Sequence, residues 1–385
     1  MRRLSMVVFW TCLAVAWAAA APAADSRLPS EVIRHPGGTD GLSARLAWAL
    51  RGQEKAEPVR RFWVGYSILR LMGENEMVGS FTDRLGKRQI TVEEILAGKT
   101  RLDSGSSEGS DVRRTAREVL DNLEHPKEPV KKVLKTVGIF LSYETGKTVR
   151  LEDVDLSNLD LSFDFKGRAF YWLGEAQEEE SLELIKGLFA KAESERAKKG
   201  LILAAGLHGT PRLVIPFLEK ILKGDESDKL RKDAAFWIGQ QNDAAGLRVL
   251  VRAAGSDFSK EVREGAVFAV SQVELPEAVD ELIALARNAR LADVRKQAVF
   301  WLGQAASEKA GPTLEEFARK DGDLDVQEQA VFALSQLPGN QGVEPLIKLA
   351  KTHPVPGIRK KAIFWLGECH DPRALEALIA IIKGK

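Results

Sequence analysis

From residue 161 onward the apolar positions fall into short helical stripes that recur. Ala278, Val279, Leu282, Ile283, Leu285 and Ala286 keep the i, i+3, i+4, i+7 spacing of a helix with one buried face. The helix before it is apolar on more sides. At about 100° per residue, Val262, Ala266, Ala269, Val270 and Val273 share one face, and Val267 and Phe268 flank it. A helix of that kind must be covered by several neighbours, as in a stack of hairpins.

The stack is visible as a period. Phe236, Phe268, Phe300, Phe332 and Phe364 lie 32 residues apart. The text around them recurs, from Ala234-Ala235-Phe236-Trp237-Ile238-Gly239-Gln240 to Ala362-Ile363-Phe364-Trp365-Leu366-Gly367-Glu368. Tyr171-Trp172-Leu173-Gly174-Glu175 and Leu203-Ala204-Ala205-Gly206 are looser copies, so seven copies span residues 161–385. Each first helix opens on an acid or small residue followed by Val-Arg or a relative, as in Asp293-Val294-Arg295 and Glu261-Val262-Arg263. An Asp there suits the free N–H groups and the positive end of the helix. The residue after the aromatic alternates between large and small: Trp172, Ala204, Trp237, Ala269, Trp301, Ala333, Trp365. Dense packing requires a small neighbour beside each indole. The expected physical unit is therefore a pair of repeats, 64 residues long.

This Val-Arg-x-x-Ala-x-Phe-x-Leu-Gly text resembles the HEAT repeats, in particular the short bacterial type related to phycobilisome-lyase HEAT-like repeats. The resemblance covers about 225 residues. It implies an all-α, HEAT-like α-solenoid, and it says little about function, because such repeats serve many roles.

Residues 24–160 are expected to form a divergent, mostly helical region. Leu42–Leu50, Val59–Met72 and Ile90–Ala97 have helical apolar spacing, the last starting near Thr91. Asp103–Asp111 reads as a loop. Val112-Arg113-Arg114-Thr115-Ala116 echoes a first helix and Pro129–Leu141 a second, which suggests a degenerate capping repeat over 112–143. Residues 150–165 alternate apolar and polar like a strand.

The first residues change where the protein is expected to work. Met1-Arg2-Arg3 is basic, Met6–Ala21 is a 16-residue uncharged run, and Ala21-Pro22-Ala23 fits a signal-peptidase site. A spanning helix needs roughly 20 apolar residues. Residues 1–23 are thus expected to be a cleaved signal, with the protein periplasmic or secreted and without a stable membrane span. Its loss removes Arg2 and Arg3 and takes the net charge from +1 to −1. A near-neutral chain gives no electrostatic footprint for nucleic acid. Cys12 leaves with the signal, and Cys369 alone forms no internal disulfide.

Chemistry-bearing motifs are weak. Asp153, Asp155, Ser157 and Asp164 have calcium-loop spacing, but Asn158 stands where an EF-hand needs Gly. Gly98-Lys99-Thr100 and Gly146-Lys147-Thr148 lack the upstream Gly of a phosphate loop. His35, His125, His208, His353 and His370 are not paired at helical spacing. Cys369 occupies the slot of Val273, Ala305 and Leu337, so it reads as a buried, inert thiol. Gln240, Gln272, Gln304 and Gln336 sit where first helices end and suit loose backbone groups. No residue set suggests catalysis, a metal site or a cofactor.

The outer face of the second helices is the expected binding surface. Arg248, Arg252, Asp280, Glu316, Glu344 and Lys348 point away from the core there. Their mixed signs suit a protein or peptide partner and not a polyanion. The leading expectation is an exported, non-enzymatic scaffold for protein–protein interaction. The alternatives are a lyase-type accessory subunit of an enzyme complex, implied by the resemblance, and a nucleic-acid module.

Overall fold

The structure, a computed structural model, describes residues 27–53, 58–74, 76–79, 90–99, 131–224, 226–305 and 309–383. The expected signal, the loop at 103–111 and the first half of the expected capping repeat lie outside these residues. The chain divides into two units, one reaching Val214 and one running from Ile215.

The N-terminal unit is built on a sheet, which corrects the expectation of an all-α chain. Its strands are β1 (Val32–Arg34), β2 (Arg61–Gly73), β3 (Lys132–Glu144), β4 (Arg150–Asn158) and β5 (Phe170–Glu175), in the order β1-β5-β2-β3-β4. β2 and β3 are antiparallel over their whole length, β4 is antiparallel to β3, and β5 is parallel to both β1 and β2. Helix α1 (Leu42–Leu50) forms where the spacing places it, and α2 (Val92–Leu96) starts at the Thr91–Glu94 capping box. Within the expected helices at 59–72 and 129–141, residues 61–72 and 132–141 are strands. In β2 the successive residues Phe62, Trp63 and Val64 are all buried, as are Tyr66 and Ile68. A strand covered on both faces loses the period-two signal and reads as continuous apolar text. Hence no helical repeat forms over 131–143. The strand at 150–158 matches its alternation.

Glycines allow the sheet to be packed closely. A Cβ at Gly65 would lie 2.7 Å from the Phe170 ring, and one at Gly138 would lie 2.6 Å from the Phe140 ring. Those rings, with Trp63, Phe165, Val92 and Ile95, form the core between the sheet and α2. Helices α3 (Glu178–Lys191) and α4 (Glu195–Gly206) complete the unit, with the division falling inside α5 (Pro211–Lys223). Gly200 brings α4 onto β4: a Cβ there would sit 2.4 Å from the Val154 carbonyl oxygen. The copy at Leu203–Gly206 is helical, within α4. The copy at Tyr171–Glu175 is not. It is strand β5, with Gly174 at φ +86°, so the helical array starts later than residue 161.

Among the described residues the C-terminal unit holds five hairpins. Their first helices are α6 (Asp228–Gly239), α8 (Lys260–Gln272), α10 (Ala292–Gln304), α12 (Leu324–Ser335) and α14 (Pro356–Gly367). The second helices are α7 (Ala244–Ser256), α9 (Glu277–Asn288), α11 (Ala310–Lys320), α13 (Val343–Thr352) and α15 (Pro372–Ile382). Ser227, Ser259 and Asp323 cap α6, α8 and α12. Glu261 and Asp293 lie one step inside, in the first turn, where their charge still meets the helix dipole.

The alternation of large and small has a direct structural counterpart. Where a tryptophan repeat precedes an alanine repeat, the helices approach through a glycine. A Cβ on Gly239 would lie 2.8 Å from the Ala269 oxygen, and one on Gly303 would lie 2.7 Å from the Ala333 Cβ. At these two junctions the phenylalanines stack nearly parallel, Phe236 on Phe268 at 6.1 Å and Phe300 on Phe332 at 6.3 Å. At the other junctions an indole fills the gap at a tilt: Phe268–Trp301 at 4.9 Å and Phe332–Trp365 at 5.2 Å. The repeats therefore pair as α6/α8 and α10/α12, with an indole wedge between pairs.

Candidate functional site

The arginine of the Val-Arg motif joins the repeats. In α8, Arg263 donates to the Asp257 and Phe258 carbonyls and to Asp293 of the next repeat. In α10, Arg295 donates to the Ala289 and Arg290 carbonyls and clasps both oxygens of Asp321. Hydrogen bonding to Asp321 holds the Arg295 guanidinium above its ordinary pKa. In α6, Arg231 is fully buried, donates to the Leu222 carbonyl at 2.9 Å and pairs with Asp257. Gln327 takes the slot in α12 and keeps only the backbone contact, to the Asp321 carbonyl. This ladder was not foreseen. The recurring Val-Arg and the recurring acid downstream were its signal.

The expected second-helix residues are all exposed, and most are already paired between repeats. Arg252 reaches Glu219 at 3.2 Å, Asp280 accepts from Lys309 at 2.6 Å, Glu316 accepts from Arg287 at 2.9 Å, and Lys348 reaches Glu315 at 2.7 Å. Arg248 and Glu344 stand on the same face. Exposed pairs of this kind contribute little to stability. They do leave the surface locally neutral.

The first helices present a different surface. A groove of about 720 Å³ runs over α10, α12 and α14. Phe332, Phe364 and Trp365 line it, with Trp365 5.0 Å from Phe364 edge to face. Charged residues also line it: Lys361 pairs with Glu328 at 2.9 Å and Lys296 with Asp325 at 3.8 Å, while Lys360 adds a further positive charge. Phe364 is 56% exposed.

The remaining motif residues are dispersed. Asp153 pairs with Arg196 at 2.6 Å, whereas Asp164 accepts from the Lys166 amide. Burial raises the Asp155 carboxyl above its usual range, with Asp153 adding to the effect. Among the described residues no three His, Cys, Asp or Glu groups are placed to hold a metal ion. Gly98 sits in the turn after α2 with φ +90°, and Gly146–Thr148 form the β3–β4 turn. Gln272 and Gln336 donate to Ser271 and Ser335, whose hydroxyls cap the carbonyls of Phe268 and Phe332. Cys369 is half-buried, unlike Val273, Ala305 and Leu337 in its slot.

In the N-terminal unit, Ser181 and His208 form a hydroxyl–imidazole pair at 2.9 Å, closed off from solvent. The His208 Nδ1–H donates to the Ala204 carbonyl at 2.8 Å, so Nε2 accepts from Ser181, which in turn accepts from the Tyr66 hydroxyl at 2.9 Å. This chain of bonds ties β2, α3 and the end of α4 together. Burial holds His208 below its ordinary pKa of 6.5. A depressed imidazole contributes stability above the unfolded value and loses it as pH falls toward the folded one. Lowering the pH from 7 to 5 is therefore expected to lower the Tm of this unit. His208→Gln should flatten that slope in a series of calorimetric scans; an unchanged slope would remove His208 from the account.

The C-terminal unit is a stack of two-helix repeats whose first helices carry the joining arginines. Residues 215–303 and 279–355 match the HEAT repeats family, and residues 358–384 match the PBS lyase HEAT-like repeat. The array is accordingly a run of HEAT repeats. No curated protein matches the chain. Among solved structures, human deoxyhypusine hydroxylase is similar at 23% identity over 52% of this chain and 77% of its own, with a TM-score of 0.24. The complex of CpcE and CpcF of phycocyanin lyase from Nostoc matches at 22% identity over 51% of this chain and 79% of its own, TM-score 0.29. Kap121p matches at 13% identity over 52% of this chain and 26% of its own, TM-score 0.33. None of these likenesses carries an argument about function. No helix among the described residues is long and apolar enough to cross a membrane.

Proposed function

We propose that the protein is an exported scaffold that binds a segment of a protein partner along the first-helix groove over α10, α12 and α14. One observation carries this reading: Phe364 and Trp365 present aromatic surface between charges, whereas most second-helix charges are matched within the chain. Aromatic anchors in a groove with a polar rim supply most binding energy at protein interfaces. Lys296 and Lys361 are paired, so Lys360 leaves the rim positive and favours a segment with an apolar residue beside a carboxylate. The basic start and apolar run of residues 1–23 support action in the periplasm or outside the cell.

A displayed random-peptide library selected on the full chain tests both faces. Enriched peptides should pair apolar and acidic residues. Their affinity should fall about tenfold on Gln329→Glu/Lys361→Glu, as for loss of complementary rim charge, and hold on Arg248→Glu/Arg252→Glu. The opposite pattern would move the site to the second helices.

A further inference from the structure

β2 runs on past the strand that pairs with its outer edge. The Glu74 amide donates to the Lys131 carbonyl and the Thr145 amide to the Arg60 carbonyl, so the even-numbered residues of β2 bond to β3. The odd-numbered residues face the other way. There the Trp63 amide donates to the Ala169 carbonyl, and the Ser67 carbonyl accepts from the Ala176 amide. β5 ends at Glu175, across from Ser67, while β2 continues to Gly73. Gly73 closes its own groups in a turn, accepting from the Glu76 amide and donating to the Glu76 carboxylate. Leu69 and Leu71 keep both backbone groups aimed outward, with no partner among the described residues.

The side chains along this edge are uncovered on one face and charged on the other. Leu69 is 43% exposed and Leu71 56%, and Leu134, directly across from Leu71 on β3, is 68% exposed. Arg70 points to the opposite face, the one that buries Ile68 and Met72. Its Nη1 is shut off from water and has no hydrogen-bond partner. Burial lowers the Arg70 pKa from its ordinary value, and Glu178 and Glu76 offset this only in part. Lys135 stands directly across from Arg70 and donates to the Glu74 and Glu76 carbonyls, so it adds positive charge beside the arginine.

We propose that the open edge of β2 at residues 69–71 takes up an extended segment of a partner protein as an added strand, with an acidic residue between two apolar ones. The segment's backbone completes the open groups of Leu69 and Leu71, the mode of recognition by strand addition. Its apolar residues lie beside the two leucines. Its acid, across from Arg70, falls on the inner face and supplies the acceptor that the guanidinium lacks. The same arginine turns away a second copy of the chain. Two β2 edges paired about this point would set Arg70 against Arg70, with Cα atoms about 4.5 Å apart. An inward-pointing charge guards a sheet edge against self-pairing; here it also chooses the sign of the partner. The edge belongs to the N-terminal unit, and the reading does not rest on the groove over α10, α12 and α14.

The test uses the full chain carrying Gln329→Glu/Lys361→Glu, which removes binding at the groove. The probe is the capped, labelled peptide Ser-Thr-Val-Glu-Val-Thr-Ser, followed by fluorescence anisotropy and hydrogen exchange. The Leu69 and Leu71 amides are expected to exchange freely in the unbound chain and to gain protection with the peptide. The same peptide with lysine in place of glutamate should bind at least about tenfold more weakly, as for a like charge set against Arg70. Leu71→Pro removes an outward amide and leaves the bonds to β3 intact. It should weaken binding about fivefold with the Tm unchanged. Arg70→Glu should reverse the preference toward the lysine peptide, even if its own Tm falls. Equal binding of the two peptides, or no added protection at about 1 mM peptide, would overturn the proposal. So would Leu69 and Leu71 amides already protected in the unbound chain, or a dimer in sedimentation that Leu71→Pro dissolves.

Discussion

Replacing Arg231 with alanine is expected to lower the stability of the C-terminal unit by about 3–5 kcal/mol, the cost of leaving one member of a buried ion pair alone. Arg231 is 2% exposed and Asp257 lies almost as deep. The guanidinium also satisfies the Leu222 carbonyl at 2.9 Å and lies 4.5 Å from the Phe258 ring. Truncation leaves the Asp257 carboxylate buried without its counter-charge and the Leu222 carbonyl without its donor. Burial of the pair is costly in itself, so replacing both residues with apolar ones of similar volume should cost far less than Arg231→Ala. The exposed Lys361–Glu328 pair supplies the contrast, and Lys361→Ala should change stability by less than about 1 kcal/mol. Urea unfolding of the three variants gives the comparison. A loss below 1 kcal/mol for Arg231→Ala would show that the ladder does not hold the repeats together.

Gly303→Val should be nearly as damaging, for a steric reason. The first atom added would stand 2.7 Å from the Ala333 Cβ and 2.9 Å from its Cα, and neither is the end of a flexible side chain. Helices α10 and α12 must separate, and the parallel stack of Phe300 on Phe332 opens with them. Overpacking of this kind costs about 3 kcal/mol, or roughly 10 °C in Tm for a unit of this size. Gly357→Ala is the control: it meets nothing within 4 Å. Thermal unfolding followed by circular dichroism distinguishes them, and equal Tm values for the two variants would sink the close-approach argument.

The array was legible because its signal is long-range. A phenylalanine every 32 residues survives any local ambiguity, and the Trp/Ala alternation already implied pairs of repeats. The sheet was hidden by its own burial. β2 has apolar residues on both faces over 13 residues, longer than most strands, so its lost alternation and its length point to a helix; Phe62, Trp63, Val64, Tyr66 and Ile68, aromatic or β-branched, were the signal for a strand. Tyr171–Glu175 copies the motif's words without its context, since no Val-Arg segment precedes it to make the helix. The exposed second-helix residues were found correctly as exposed. Their pairing depends on neighbours about 30 residues away, which helical periodicity does not report. The aromatic groove was missed because Phe and Trp were assigned wholly to the core. Phe364 shows how far the same slot can be uncovered at the last repeat.

Native-state hydrogen exchange on Gly303→Val probes the pairing of repeats most directly. If α10 and α12 form one cooperative pair, their amides lose protection together, while α6 and α8 keep theirs. Loss shared by α8 and α10 with α12 spared, or an equal loss in every helix of the unit, would contradict a two-repeat building block.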